Sequence, residues 1–261
     1  MSRLFSLGCA CLVGLLLAAC GSSPRSGAGP LAALGDNHLR LVGGNPDVSR
    51  RRTGDDLYIL HGLWSDQDAM AEMAQAVVAL GIYRRVFTIG YHDDQSIRVT
   101  GRDLAAVILA NSPTSCDLVG HSLGGLVIRW ALEKEDLGPR ARKAWLLGTP
   151  NLGSTLAQWT AGGALDDLKP DSETLHLLND GPRIYNAAYS YLTIAGNLIA
   201  AGRPTQSDGV VAVSIANWSG LGLHAKALTR STVNCSHFGL KSSPAALNQL
   251  TMMMRVQAAL D

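Results

Sequence analysis

The chain has 261 residues, with 22 Lys and Arg against 21 Asp and Glu, so its formal net charge is only +1 and gives no reason to expect nucleic acid or another polyanion as a partner. Hydrophobic residues make up 47% of it, enough to bury a core of the size one α/β domain needs. Its sole basic cluster, Arg50-Arg51-Arg52, reads as the solvated end of a linker.

The N-terminus begins Met-Ser-Arg3, turns apolar from Leu4 to Ala19, and closes on Leu17-Ala18-Ala19-Cys20 followed by Gly21. A charged start, a short apolar run and small residues at the cut are the marks of a signal peptide over residues 1–19. The run is shorter than the roughly 20 apolar residues a membrane-spanning helix needs. Leu-Ala-Ala-Cys resembles the bacterial lipobox, which implies that Cys20 is lipidated, that the membrane is reached through this lipid, and that the protein sits in the cell envelope. Because Gly21 is not an acidic retention signal, the resemblance implies the outer membrane. Residues 20–55, rich in Gly, Ser, Pro and Ala up to about residue 35, read as a lipidated tether and linker.

From residue 56 onward, short apolar runs alternate with helical patterns, which predicts a mostly parallel sheet flanked by helices. Asp56–Gly62 is the first expected strand. Ser65 and Asp68 have capping-box spacing, and Met70, Met73, Val77 and Leu80 then fall on one helical face before Gly81. Arg85–Tyr91 is the next strand. Leu104, Val107 and Ile108 mark a helix closed by Asn111 and Pro113. Cys116–Gly120 is a third strand, and Leu123, Leu126, Val127 and Trp130 line the helix after it. Ala144–Gly148 and Tyr191–Ala195 follow as strands, with a last strand near Leu228–Asn234 and a closing helix bearing Leu247, Leu250 and Met254. That makes about six strands. Residues 151–190 break the rhythm and read as a small helical cap insertion within a domain spanning 56–261.

Gly120-His121-Ser122-Leu123-Gly124 matches Gly-x-Ser-x-Gly between an apolar strand and an amphipathic helix. In that context the pattern makes a sharp turn that exposes the serine hydroxyl, so Ser122 is the expected nucleophile. A serine needs a base, and the base an orienting acid, in the chain order Ser, Asp or Glu, His. Downstream histidines are His176, His224 and His237. His237 is favoured because it follows the last expected strand. Asp208, followed by Gly209 after the fifth strand, is the favoured acid, with Asp166, Asp167 and Asp180 as rivals in the insertion. An oxyanion hole needs two backbone N–H groups, expected from Leu123 and from Leu63 in the loop after the first strand. His61 reads as a structural hydrogen-bonder.

Together, His61-Gly-Leu63, Gly120-His-Ser-Leu-Gly-Gly125, Gly148-Thr-Pro-Asn-Leu-Gly153 and Ser207-Asp-Gly-Val-Val211 resemble the lipase and esterase branch of the α/β-hydrolase family, in the family's order, across residues 57–237. Leu168-Lys-Pro-Asp-Ser172 and Leu178-Asn179 are also similar to the GPI inositol-deacylase-like subset. The resemblance implies an ester or lipid substrate, cleaved through an acyl-enzyme without a cofactor. The same residues would also serve an acyltransferase or amidase, and a non-catalytic lipid-binding lipoprotein is the remaining alternative. No acidic cluster surrounds His237, so no metal is expected.

Cys116 and Cys235 are the cysteines left beyond residue 20. Six strand residues separate Cys116 from Ser122, about 20 Å, whereas Cys235 lies near His237; two free thiols are expected. In the insertion, Leu152, Leu156 and Trp159 recur at helical spacing, and Pro170-Asp171-Ser172 reads as a helix start with Leu175 and Leu178 behind it. These faces either pack on the core or line an acyl pocket.

Overall fold

In the computed structural model, the residues described are 34, 38–48, 56–112, 114–159, 161–181, 189–200, 202–223 and 225–260. The proposed signal peptide, Cys20, Arg50-Arg51-Arg52 and His224 lie outside them.

Seven strands form the central sheet: β1 (Leu39–Gly43), β2 (Asp56–Leu60), β3 (Arg85–Ile89), β4 (Cys116–His121), β5 (Ala141–Leu147), β6 (Ser190–Gly196) and β9 (Ala227–Val233), in the order β1-β3-β2-β4-β5-β6-β9. A two-stranded hairpin, β7 (Ile199–Ala200) with β8 (Arg203–Pro204), projects after β6. All neighbours in the main sheet run parallel except β1, which pairs antiparallel with β3. The expected count of about six strands rises to seven because β1 lies inside the segment read as linker. Its side chains stay half-exposed at the sheet edge, so its pattern is weak.

Strand periodicity divides the core into two layers. Tyr58, Leu60, Leu118, Ala144, Leu146 and Tyr191 point to one side. Leu57, Ile59, Val119, Trp145, Leu147, Leu192 and Ile194 point to the other. Successive residues of a strand face opposite ways, and every residue of β2 and β4 is buried, so these runs are apolar on both faces. The first layer is closed by α2 (Ile97–Asn111) and α3 (Leu123–Lys134), through Leu104, Val107, Ile108, Leu126, Val127 and Trp130. The second is closed by α1 (Ala71–Val78) and the long C-terminal helix Pro244–Leu260, through Met73, Val77, Leu250 and Met254.

The start of α1 departs from the expected capping box. A 3-10 turn at Asp68–Met70 precedes it, and the Ala69 N–H donates to Asp66 Oδ1 at 3.0 Å. Ser65 is instead the acceptor for Lys241 Nζ at 3.5 Å. Ser96 accepts from the Val99 N–H at the head of α2, and Ser172, part of the expected helix start, accepts from the Leu175 N–H at the head of α5 (Glu173–Asn179).

The insertion between β5 and β6 holds a 3-10 turn at Thr155–Trp159, the short α4 (Ala164–Asp167) and α5. Ala157, Ala164, Leu168, Leu175 and Leu178 are all buried in the first core layer. Leu175 and Leu178 therefore serve core packing, whereas Leu152 is 38% exposed. Asp167 Oδ2 accepts from the Ile97 N–H at 2.7 Å, fastening the insertion to the head of α2. Cys116 and Cys235 are separate buried thiols.

Candidate active site

Parallel strands deliver the loops that follow them to one edge of the sheet. The loops after β2, β4, β6 and β9 there carry Leu63, Ser122, Asp208 and His237.

Ser122 sits between β4 and α3 with φ 53° and ψ −120°, a left-handed conformation that a serine adopts only when its surroundings force it. The flanking glycines are required sterically. A Cβ on Gly120 would come within 2.6 Å of the Gly125 N, and one on Gly124 within 2.4 Å of the His61 carbonyl oxygen. The turn thus folds back on itself and presses the head of α3 against the end of β2.

His237 Nε2 lies 2.9 Å from Ser122 Oγ, and His237 Nδ1 lies 2.7 Å from Asp208 Oδ2. Asp208 is acceptor-only when ionised, so Nδ1 carries the proton it shares with Asp208 and Nε2 is left to accept from the serine O–H. Asp208 is itself held: Oδ1 accepts from the Val210 and Val211 N–H groups at 2.9 and 2.6 Å, and its carbonyl accepts from the His237 N–H at 2.9 Å. Both Asp208 and His237 are buried. The expected nucleophile, base and acid are thus joined in one hydrogen-bonded line.

Rival candidates lie elsewhere. His176 is exposed and pairs with Asp180 at 3.4 Å. Asp166 pairs with Lys169 at 2.6 Å, and Asp167 caps α2.

Leu123 opens α3, so its N–H has no intrahelical acceptor. Leu63 follows Gly62, whose hypothetical Cβ would stand 3.0 Å from Ser122 Cβ, so its loop passes directly beside the serine. Among the described residues, neither amide has a hydrogen-bond partner. The Leu63 loop is pinned from the end of β3. Tyr91 O–H donates to the His61 carbonyl at 2.7 Å, the Tyr91 N–H donates to His61 Nε2 at 3.3 Å, and Asp93 accepts from the Trp64 N–H. His61 Nδ1–H donates to the Gly62 carbonyl at 2.8 Å. Burial lowers the His61 pKa, which keeps the ring neutral and able to accept at Nε2. Nothing in the sequence marked Tyr91 or Asp93, because their partners are backbone atoms of a different loop.

A second missed feature is the buried cation Arg129 on α3. Its guanidinium donates to Glu133 Oε1 at 2.9 Å, to Asn179 Oδ1 at 3.1 Å and to the Leu178 carbonyl at 3.1 Å, while Tyr191 O–H donates to Glu133 Oε1 at 2.6 Å. This network fastens α5 of the insertion to the helix that follows Ser122. Its sequence signal is the i,i+4 Arg–Glu pair on a helix face otherwise wholly apolar.

Among the described residues, no group of three or more His, Cys, Asp or Glu could hold a metal ion. Apolar side chains frame the serine's edge of the sheet. Trp64 adjoins Leu63, and the Phe238 ring stands edge-on to His237 with centroids 5.8 Å apart. Both are substantially exposed.

No protein-family model matches the sequence, and no curated protein does. Solved structures do. The mature form of Bacillus licheniformis lipase BlEst2 aligns at TM-score 0.65 and 20% identity, over 84% of this chain and 97% of that one. Aspergillus fumigatus lipase B aligns at TM-score 0.61 and 11% identity, over 89% of this chain and 62% of that one. An esterase from Exiguobacterium antarcticum aligns at TM-score 0.54 and 12% identity, over 85% of this chain and 94% of that one. At such identities the likeness is one of architecture, and with the mostly parallel sheet described above it establishes that the chain has the α/β-hydrolase fold.

Proposed function

We propose that this protein is a serine hydrolase of carboxylic esters, working through an acyl-enzyme with Ser122, His237 and Asp208 as its catalytic triad. The observation that carries the reading is the continuous line from Ser122 Oγ through His237 to Asp208, with contacts of 2.9 and 2.7 Å. The similar structures, two lipases and an esterase, agree with it.

In this mechanism Ser122 Oγ attacks the ester carbonyl carbon as its proton passes to His237 Nε2. Asp208 stabilises the imidazolium and keeps the ring turned. Negative charge grows on the carbonyl oxygen, and the free Leu63 and Leu123 amides supply its two donors. Collapse breaks the bond to the alkoxy oxygen, which takes the proton from Nε2 and leaves as an alcohol. Water then attacks the acylated serine, gives a proton to His237, and the acid departs as Ser122 regains its hydrogen. No step needs a cofactor. Trp64 and Phe238 offer apolar walls, so the reading favours apolar acyl or alcohol groups over charged ones.

Purified protein should react stoichiometrically with a fluorophosphonate probe and cleave p-nitrophenyl esters, whereas Ser122→Ala should do neither while remaining folded. Turnover that survives Ser122→Ala sinks the proposal. Lipid attachment at Cys20 and an outer-membrane location belong to the same proposal; no described helix is long and apolar enough to cross a membrane. Cys20→Ala should abolish palmitate labelling, and labelling that persists would remove the anchor from the proposal.

A further inference from the structure

His121, the residue before Ser122, takes no part in the proton transfers above, yet it is 3% exposed and its ring stands 4.9 Å from the His237 ring. Its Nε2 lies 2.9 Å from the carbonyl oxygen of His237. A carbonyl only accepts, so the proton is on Nε2. That leaves His121 Nδ1 as a bare acceptor, and among the described residues it has no hydrogen-bond partner. Burial, followed by the neighbouring His237, holds the pKa of His121 down to about 3, so the ring stays in this neutral form.

On its other side the ring fills the space beneath Gly62. A Cβ at Gly62 would stand 3.0 Å from His121 Nδ1. The ring is thus wedged between the loop that carries Leu63 and the loop that carries His237, and it is covalently next to Ser122. An apolar ring would fill the same space without burying an unmet acceptor. Retaining an imidazole here needs a reason, and the Nε2–H bond to His237 supplies one.

That bond completes a clamp on the base. The His237 N–H donates to the Asp208 carbonyl at 2.9 Å, and the His237 C=O accepts from His121. One side of the His237 peptide is therefore referenced to the acid and the other to the nucleophile strand. His237 stands at the head of the short 3-10 turn Phe238–Lys241, too short to hold a side chain in place alone.

We propose that His121 is a positioning residue for catalysis: its Nε2–H fixes the backbone of His237 and thereby sets the 2.9 Å approach of the imidazole to Ser122 Oγ. The inference rests on the serine-hydrolase reading. Displacing a general base by a fraction of an ångström to one ångström costs about ten- to a hundredfold in rate.

The test compares His121→Met with His121→Gln, side chains of closely similar size of which only glutamine can donate. His121→Met should lower kcat on a short-chain p-nitrophenyl ester about ten- to a hundredfold with KM little changed, and should slow fluorophosphonate labelling in parallel. His121→Gln should recover most of that loss at an equal melting temperature. Equal losses in both variants, or no loss in either, would overturn the proposal, since ring shape or nothing would then be the determinant. A measurement on the unaltered protein stands beside these: imidazole 15N chemical shifts should report His121 as a neutral ring protonated at Nε2 from about pH 5 to 9, and an Nδ1-protonated or cationic ring would also overturn it. Ser122→Ala separates the two levels. If it keeps turnover, the hydrolase reading itself fails; if it is dead while His121→Met is fully active, only the role of His121 fails.

Discussion

Two buried clusters at opposite ends of the central sheet differ in how their polar groups are met. At the end where β2 begins, the fully buried Asp56 is met on every side. Arg85 Nε and Nη2 donate to its two oxygens at 2.7 and 2.5 Å, Ser112 Oγ donates to Oδ2 at 2.5 Å, and Tyr58 O–H shares Ser112 Oγ at 2.7 Å. Asp117 is likewise met by Tyr83 O–H at 3.0 Å and the Lys143 N–H at 3.1 Å. At the opposite end, among the described residues, the Leu63 and Leu123 amides and His121 Nδ1 have no hydrogen-bond partner, and Ser122 is held in a strained backbone conformation. A satisfied network lowers the energy of the folded chain; unmet donors beside a strained Ser122 raise it, and on the proposed hydrolase reading they are kept for a transition state. Substitutions at the two ends should therefore separate stability from activity.

The largest effect is expected at the strand ends. Asp208→Asn keeps the size of the side chain but loses the acceptor that holds the Nδ1 proton, so kcat should fall about 10³- to 10⁴-fold, with far-UV circular dichroism unchanged. A loss smaller than tenfold would show that Asp208 does not orient the base. The reverse profile is expected at the strand starts. Asp56→Ala strips Arg85 and Ser112 of their shared partner, to which Tyr58 is linked only through Ser112, and should cost about 3 kcal/mol of unfolding free energy, measured by urea titration. The folded fraction should keep its kcat. A drop in kcat without loss of stability would erase the contrast.

Arg129→Met is intermediate between these. It leaves the buried Glu133 with its Tyr191 hydrogen bond but without its counter-charge, so a destabilisation of about 3–5 kcal/mol is expected, and α5 should become the first helix to exchange its amide hydrogens. If α5 stays as protected as α3, the network does not fasten the insertion.

A smaller effect is spread over pH. His121 is held near 3 against an ordinary value of 6.5, and His61 is also lowered, both first by burial. The unfolded chain binds protons at these rings below about 6.5 while the folded chain refuses them, so unfolding takes up protons. Stability is then full above about pH 6.5 and declines toward about pH 3, by up to ~1.4 kcal/mol per pH unit for His121. Melting temperature should fall over that window, and His121→Gln should shallow the slope. An unchanged slope in that variant would assign the acid sensitivity elsewhere.

Much of this architecture was legible residue by residue. β2, β4 and β5 are buried on both faces, so their apolar runs are continuous and stand out. The Ser122 turn declares itself because a serine held at so sharp a strand-to-helix turn requires glycines at fixed offsets, which is a local, covalent constraint. The order of Ser122, Asp208 and His237 along the chain, each after a recognisable strand, was enough to select them from seven histidines and 21 acidic residues. Edge elements were less legible. β1 is half in water, Leu41 is 58% exposed, and only antiparallel pairing with β3 makes Leu39–Gly43 a strand.

What the sequence by itself determined, then, is everything set by spacing along the chain: the alternation of strand and helix, the turn that presents Ser122, and the identities of the groups hydrogen-bonded to it. Tertiary structure alone decided what is set across the chain. Tyr91 and Asp93 hold the Leu63 loop, Arg129 joins the insertion to α3, and His121 reaches the His237 carbonyl across 116 residues of separation. The Tyr91, Asp93 and His121 contacts end on backbone atoms, which every residue possesses, so no pattern of side chains announces them, and the Arg129–Glu133 spacing marks a buried pair without saying which element it will join. They exist only when the sheet has brought its loops to one edge, where a few tenths of an ångström decide whether a donor is spent on the fold or kept for a substrate.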